Sequence, residues 1–177
     1  MLDVLTCMAK DFAEPLPQLL TGICYSAALT MAYSHFRPEE WYRRSRSRRN
    51  RKRLLKLFVF LVYGYMVLWI ALFSRPPGSR MGVDLGLFDT WGSSARSKAY
   101  VLENIVMTIP LGMMLPMLWK WAGRASACVG AGLLVSGTIE ILQYISQRGF
   151  MQVDDLITNG VGTLMGWCIW RFFLRNW

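Results

Sequence analysis

The sequence predicts an all-α, polytopic membrane helix bundle of about five transmembrane helices, with its amino terminus outside and its carboxyl terminus inside. Three observations carry that prediction. The chain of 177 residues is 54% hydrophobic and only 18% charged, too apolar for an ordinary globular domain and long enough for roughly five spans. Its apolar segments run near bilayer length without the strict alternation of a lipid-facing barrel, so helices must satisfy the backbone internally. Its formal charge of +9 is concentrated in one linker, where it acts as a topology signal.

The first fourteen residues carry Asp3, Asp11 and Glu14 against the single Lys10, which lacks the basic start of a secretory signal. Leu2, Leu5, Met8 or Ala9 and Phe12 recur at helical spacing and predict a helix lying on a membrane surface. Pro15 and Pro17 end it. The first span is expected from about Gln18 to Phe36. Spans two to five are expected near Leu54–Phe73, Tyr100–Trp121, Ala125–Ile145 and Leu156–Leu174. Pro110 falls inside the third, where a proline removes a backbone hydrogen bond, usually kinks the helix and frees a carbonyl.

Between the first two spans, ten basic residues from Arg37 to Lys56 face only Glu39 and Glu40. Such a loop stays cytoplasmic, and the stretch Arg43–Lys56 is expected to attract anionic inner-leaflet lipid. No aromatic-interleaved binding fold accompanies it, so a nucleic-acid partner is not expected. Fixing this linker inside puts fourteen of the twenty basic residues on the inner side. Cys7, Cys24, Cys128 and Cys168 form no Cys-x-x-Cys pair; neither a zinc site nor a disulfide framework is indicated. Three of them fall in apolar segments, where cysteine serves as a small packing residue.

In this topology the unusual polar groups converge on the outer side. Glu103 and Asn104 lie at the outer end of span three. Glu140 lies about 9 Å deep in span four at helical rise, with Gln143, Tyr144 and Gln147 on the same face. Asp155, Thr158, Asn159, Gly162 and Gly166 stripe span five. Ionisable groups in lipid are costly and call for a partner or a function; a carboxylate at the depth of Glu140 needs a cation or a proton, and Arg75 and Arg148 are the candidates. Structural roles compete for the others. Asp154 or Asp155 can cap span five. Gly162 and Gly166 make a small-xxx-small packing pair. Asn104 and Asn159 can bond between helices, and Arg148 can pair with the aspartates or lipid phosphate. His35, the only histidine, reads as an interfacial residue.

Four stretches, VDLGLFDTW, ENIVMTIPLGMMLP, GTIEILQ and RGFMQVDDLITNGVGTLMG, together resemble the VanZ-like membrane proteins. The family pattern places an arginine at Arg75, then Asn104, Pro110 and Gly112, the Glu140/Gln143 pair, Arg148, the paired Asp154 and Asp155, and Asn159 with Gly162. Thr108-Ile109 stands where the family often has a phenylalanine. The resemblance covers roughly Leu57 to Phe173, so the chain divides into an interfacial segment (1–17), a first span with the basic linker (18–56) and a VanZ-like four-helix core (57–177). It implies a multi-pass protein of the bacterial plasma membrane and cell envelope, linked through the family's founding member to antibiotic resistance, specifically to the glycopeptide teicoplanin.

The ligand-binding set expected from these readings is Arg75, Asn104, Glu140, Gln143, Arg148, Asp154, Asp155 and Asn159. The leading expectation is a non-catalytic outer-leaflet pocket for a lipid headgroup, a lipid-linked cell-wall precursor or a lipophilic glycopeptide tail. An alternative is an intramembrane enzyme with Glu140 as general base, Asp154 or Asp155 as acid partner or metal ligand and Arg148 on a phosphate. The third is a scaffold or transport subunit of a larger complex, with the oligomeric state left open. No cofactor or metal is expected; without a histidine cluster any metal would be oxygen-bound Mg²⁺ or Ca²⁺.

Overall fold

Apolar stretches of bilayer length become helices here because a helix pairs its own backbone groups without help from neighbours. The computed structural model describes residues 1–36, 48–78, 80–84, 86 and 94–175, and of Arg49, Arg80 and Met81 the backbone only. After the short helix α1 (Leu2–Ala13) come five longer ones: α2 (Leu19–His35), α3 (Arg48–Leu68), α4 (Ala95–Leu118), α5 (Ala125–Ile145) and α6 (Val153–Ile169). Among the described residues three segments are long and apolar enough to cross a membrane: Asn50–Phe73, Ala95–Leu118 and Ala125–Ile145. The other two expected spans, α2 and α6, are 17 residues each, and α6 is lengthened by a π-helical turn over Trp170–Leu174.

Helix α3 starts at Arg48, inside the basic run and not after it. The run from Arg48 to Lys56 is therefore helical, while Arg43, Arg44 and Arg46 lie outside the described residues. Pro110 and Pro116 sit within a continuous α4. Near Pro110, the Tyr63 hydroxyl donates to the Met107 carbonyl at 2.8 Å; the carbonyl that the proline itself leaves without a helical donor is that of Val106. Most of the apolar patch Val83–Trp91 lies outside the described residues.

A short parallel sheet was not legible in the sequence. Strands β1 (Arg80–Asp84) and β2 (Arg148–Gln152) pair with Arg80 opposite Arg148 and Asp84 opposite Gln152. The pairing joins the segment after α3 to the turn between α5 and α6. Gln147, just before β2, has φ +54°, a left-handed conformation uncommon outside glycine. It therefore leaves the helical face that its spacing from Glu140 implied, and Tyr144 on that spacing is exposed.

Helices α4 and α6 make the closest approach in the bundle. A Cβ added to Gly162 would run into the Ile105 carbonyl and the Thr108 hydroxyl, and one added to Gly166 into the Ile109 carbonyl. The small residues let backbones touch, the packing role expected of this pair. Gly132 of α5 makes room for the Thr163 side chain of α6. Leu111, Leu115, Ala122 and Cys128 form an apolar core at the end of the bundle away from the sheet, with Phe60, Trp119 and Trp167 against it. Helix α2 packs on α3 through Tyr25 and Tyr65, whose rings stack at 6.0 Å.

Candidate functional site

The polar groups gather at the sheet end of the bundle because three helix termini meet there. Helix α3 ends in a π-helical turn, Trp69–Phe73, closed by the Ser74 amide on the Trp69 carbonyl at 2.9 Å. A helix end leaves carbonyls without intrahelical donors. Two side chains supply them: Gln143 Nε2 donates to the Ala71 carbonyl at 2.9 Å, and Arg148 Nη1 donates to the Leu72 carbonyl. Arg148 also lies 5.5 Å from the centre of the Phe73 ring. A cation at a helix C-terminus is favoured by the dipole as well.

Helix α6 begins at the same end, with Asp154 and Asp155 in its first turn, where free amides and the dipole favour anions. The N-cap position itself is Gln152, whose side chain makes no capping bond. Asn104 Nδ2 of α4 donates to Asp155 Oδ1 at 2.7 Å. Deeper in the bundle, Asn159 Nδ2 donates to Ser136 Oγ at 2.7 Å. Both asparagines thus bond between helices. Glu140 is 5% exposed, and its Oε2 accepts from the Gln152 backbone amide at 3.1 Å. The sheet therefore aims a main-chain donor at this acid.

A cavity of about 830 Å³ opens at this end, bounded by α3, α4, α5, α6 and the end of α1. Six of the eight expected ligand-binding residues line it: Arg75, Asn104, Glu140, Gln143, Asp155 and Asn159. The other two do not. Asp154 is 2% exposed and sits away from the cavity wall. Arg148 is committed to the end of α3, not to the aspartates. Of the two cations considered for Glu140, Arg75 shares the cavity lining with it, as do Glu103 and Asp155, and Arg148 does not line the cavity. Arg75 also donates to the Arg148 carbonyl at 3.4 Å.

Several cavity residues were not singled out by sequence. Asp11 of α1 pairs with Arg96 of α4 at 2.9 Å, and Arg96 lies over the Tyr100 ring at 4.6 Å. The pair fastens α1 to α4 at the cavity wall. Tyr63, Ser136 and Gln152 line the wall too. Asp11 stood in the sequence only among the charges of the first fourteen residues, and all of these groups depend on tertiary placement. Among the described residues no three His, Cys, Asp or Glu side chains converge as metal ligands.

Fold and site together define a class: an all-α bundle with membrane-length helices and an acid-lined cavity at one end. Within that class the chain belongs to the VanZ/LLP1 family, whose model matches residues 19–174. The match begins at Leu19, so it takes in α2 and the basic linker, which lay outside the resemblance from Leu57 onward. The chain is also similar to Protein VanZ of Enterococcus faecium, 33% identical over 66 residues, which are 37% of this chain and 40% of that relative. The similarity thus spans well under two thirds of the relative's length. No solved structure matches the chain.

Proposed function

We propose that this protein is a non-catalytic, multi-pass membrane protein of the bacterial envelope whose cavity binds the headgroup of a lipid or lipid-linked cell-wall precursor. In this reading the basic linker lies in the cytoplasm, its stretch Arg43–Lys56 held by anionic lipid. The sheet end of the bundle then faces outward, where cell-wall precursors meet the bilayer.

One observation carries the reading: charged and amide groups from the end of α1, from Arg75 after α3, and from α4, α5 and α6 line a single cavity among mostly apolar side chains. Glu140 is the central group because it is buried and tied to the sheet. Family membership supports a role in the envelope, and a link to teicoplanin resistance follows only by likeness to Protein VanZ. The test is binding of a fluorescent lipid-linked precursor and a phospholipid panel to purified wild type and Glu140→Gln. Saturable binding weakened in the variant is expected; equal, unsaturable partition into both would overturn the reading.

Glu140 and Asp155 lining the same cavity also favour a second reading, an intramembrane acid/base enzyme. Turnover of a lipid-linked substrate by wild type, lost in Glu140→Gln, would select it.

A further inference from the structure

The chemistry of the cavity says which headgroup fits. Its hydrogen-bond donors are largely used within the protein. Gln143 gives to Ala71, Asn104 to Asp155, and Tyr63 to Met107. Arg96 is spent on Asp11. The acceptors are in surplus. Five carboxylates line the cavity (Asp11, Glu14, Glu103, Glu140 and Asp155) against two guanidiniums, Arg75 and Arg96.

Two buried oxygens show the surplus directly. Among the described residues, none donates a hydrogen bond to Asn159 Oδ1 or Glu103 Oε1. Asn159 is only 6% exposed and lines the cavity. A buried acceptor without a donor costs about 1–3 kcal/mol, so this wall suits an occupant that brings N–H groups.

The cavity also has a side exit. Leu68 and Phe73 of α3, with Leu134, Val135 and Leu142 of α5, line it while remaining exposed on the outside of the bundle. They form an apolar rim that runs from Leu142 to Leu134, about 12 Å at helical rise. A chain leaving through this gap would emerge between two helices, at the level of the acyl chains.

Resting on the proposed function, we infer that the occupant is an amphiphile whose headgroup carries a primary ammonium and whose acyl chain exits between α3 and α5. The ammonium meets the carboxylates and the Asn159 carbonyl. Arg75, which shares the cavity lining with Glu103, Glu140 and Asp155, takes any accompanying phosphate.

The experiment uses the full chain in detergent and four tail-labelled lipids: phosphatidylethanolamine, its N-acetylated form, phosphatidylglycerol and phosphatidic acid. Phosphatidylethanolamine is expected to saturate, with a Kd roughly tenfold below that of the other three, a difference of about 1.4 kcal/mol. Leu134→Trp, at a position 74% exposed and outside the core, is expected to weaken that binding by narrowing the exit. Equal or tighter binding of either anionic lipid, or no effect of N-acetylation, would overturn the ammonium assignment while leaving a lipid pocket intact. Unchanged binding to Leu134→Trp would overturn the side exit. Saturation by none of the four and by no lipid-linked precursor would remove the proposed function, and this inference with it.

Discussion

Asn104 Nδ2 lies 2.7 Å from Asp155 Oδ1, a bond that ties α4 to the first turn of α6 across the wall of the cavity. It fixes the aspartate's position and uses one of its lone pairs. Replacing Asn104 by Leu is expected to lower stability by roughly 1–2 kcal/mol, the scale of an inter-helix polar bond in apolar surroundings. Asp155→Asn keeps the shape and is expected to cost less. Thermal unfolding in detergent of the two variants checks both; equal stability of wild type and Asn104→Leu would mean that the bond does not hold the helices.

Arg148 and Gln143 act on the end of α3 through the Leu72 and Ala71 carbonyls. Removing a charged donor from a partly buried acceptor costs roughly 1.5–3 kcal/mol. Arg148→Ala is therefore expected to lose stability by about that much while leaving lipid affinity per folded molecule nearly unchanged. Loss of binding at full stability would instead make Arg148 a ligand contact.

At the α4–α6 contact, Gly162→Val and Gly166→Val are expected to abolish folding or to leave little protein extractable, because each side chain meets opposing backbone. Gly130→Ala is the control: nothing lies within 4 Å of its added Cβ. That variant is expected to behave as wild type, or to gain slightly from helix propensity. Yields measured by size-exclusion chromatography decide. Normal folding of Gly166→Val would contradict the closeness of these helices.

Orientation has its own test. Cysteine placed at the exposed Gln147, in a background lacking the four native cysteines, is expected to react in intact cells with a membrane-impermeant maleimide. Cysteine at Lys120, in the turn at the opposite end, is expected to react only after lysis. The reverse pattern would put the cavity on the cytoplasmic side and withdraw the envelope reading.

Much of this was legible in the sequence because lipid-like apolarity restricts the chain to few solutions. The helix expected at Ala125–Ile145 has those bounds, and the small-residue stripe of α6 packs as its spacing implied. The gathering of Glu140, Asn104, Asp155 and Arg75 followed from placing all polar outliers at one end. What could not be read was anything set by contacts distant in sequence. The pairing of Arg80–Asp84 with Arg148–Gln152 joins two short, glycine-containing segments with no strand-like alternation. Arg148 looked like a ligand because its true acceptor, a main-chain carbonyl at the end of α3, leaves no mark in the sequence. Asp11 and Arg96 meet only once α1 folds back across α4.

The central claim is that the Glu140 cavity holds an amphiphile. Native mass spectrometry of protein extracted gently from the membranes in which it is expressed tests it most directly. Wild type is expected to carry a bound lipid mass, and Glu140→Gln, with matching thermal stability, to retain roughly tenfold less, the effect of losing one charged contact. Bare protein in both samples, or the same lipid held equally by both, would contradict it.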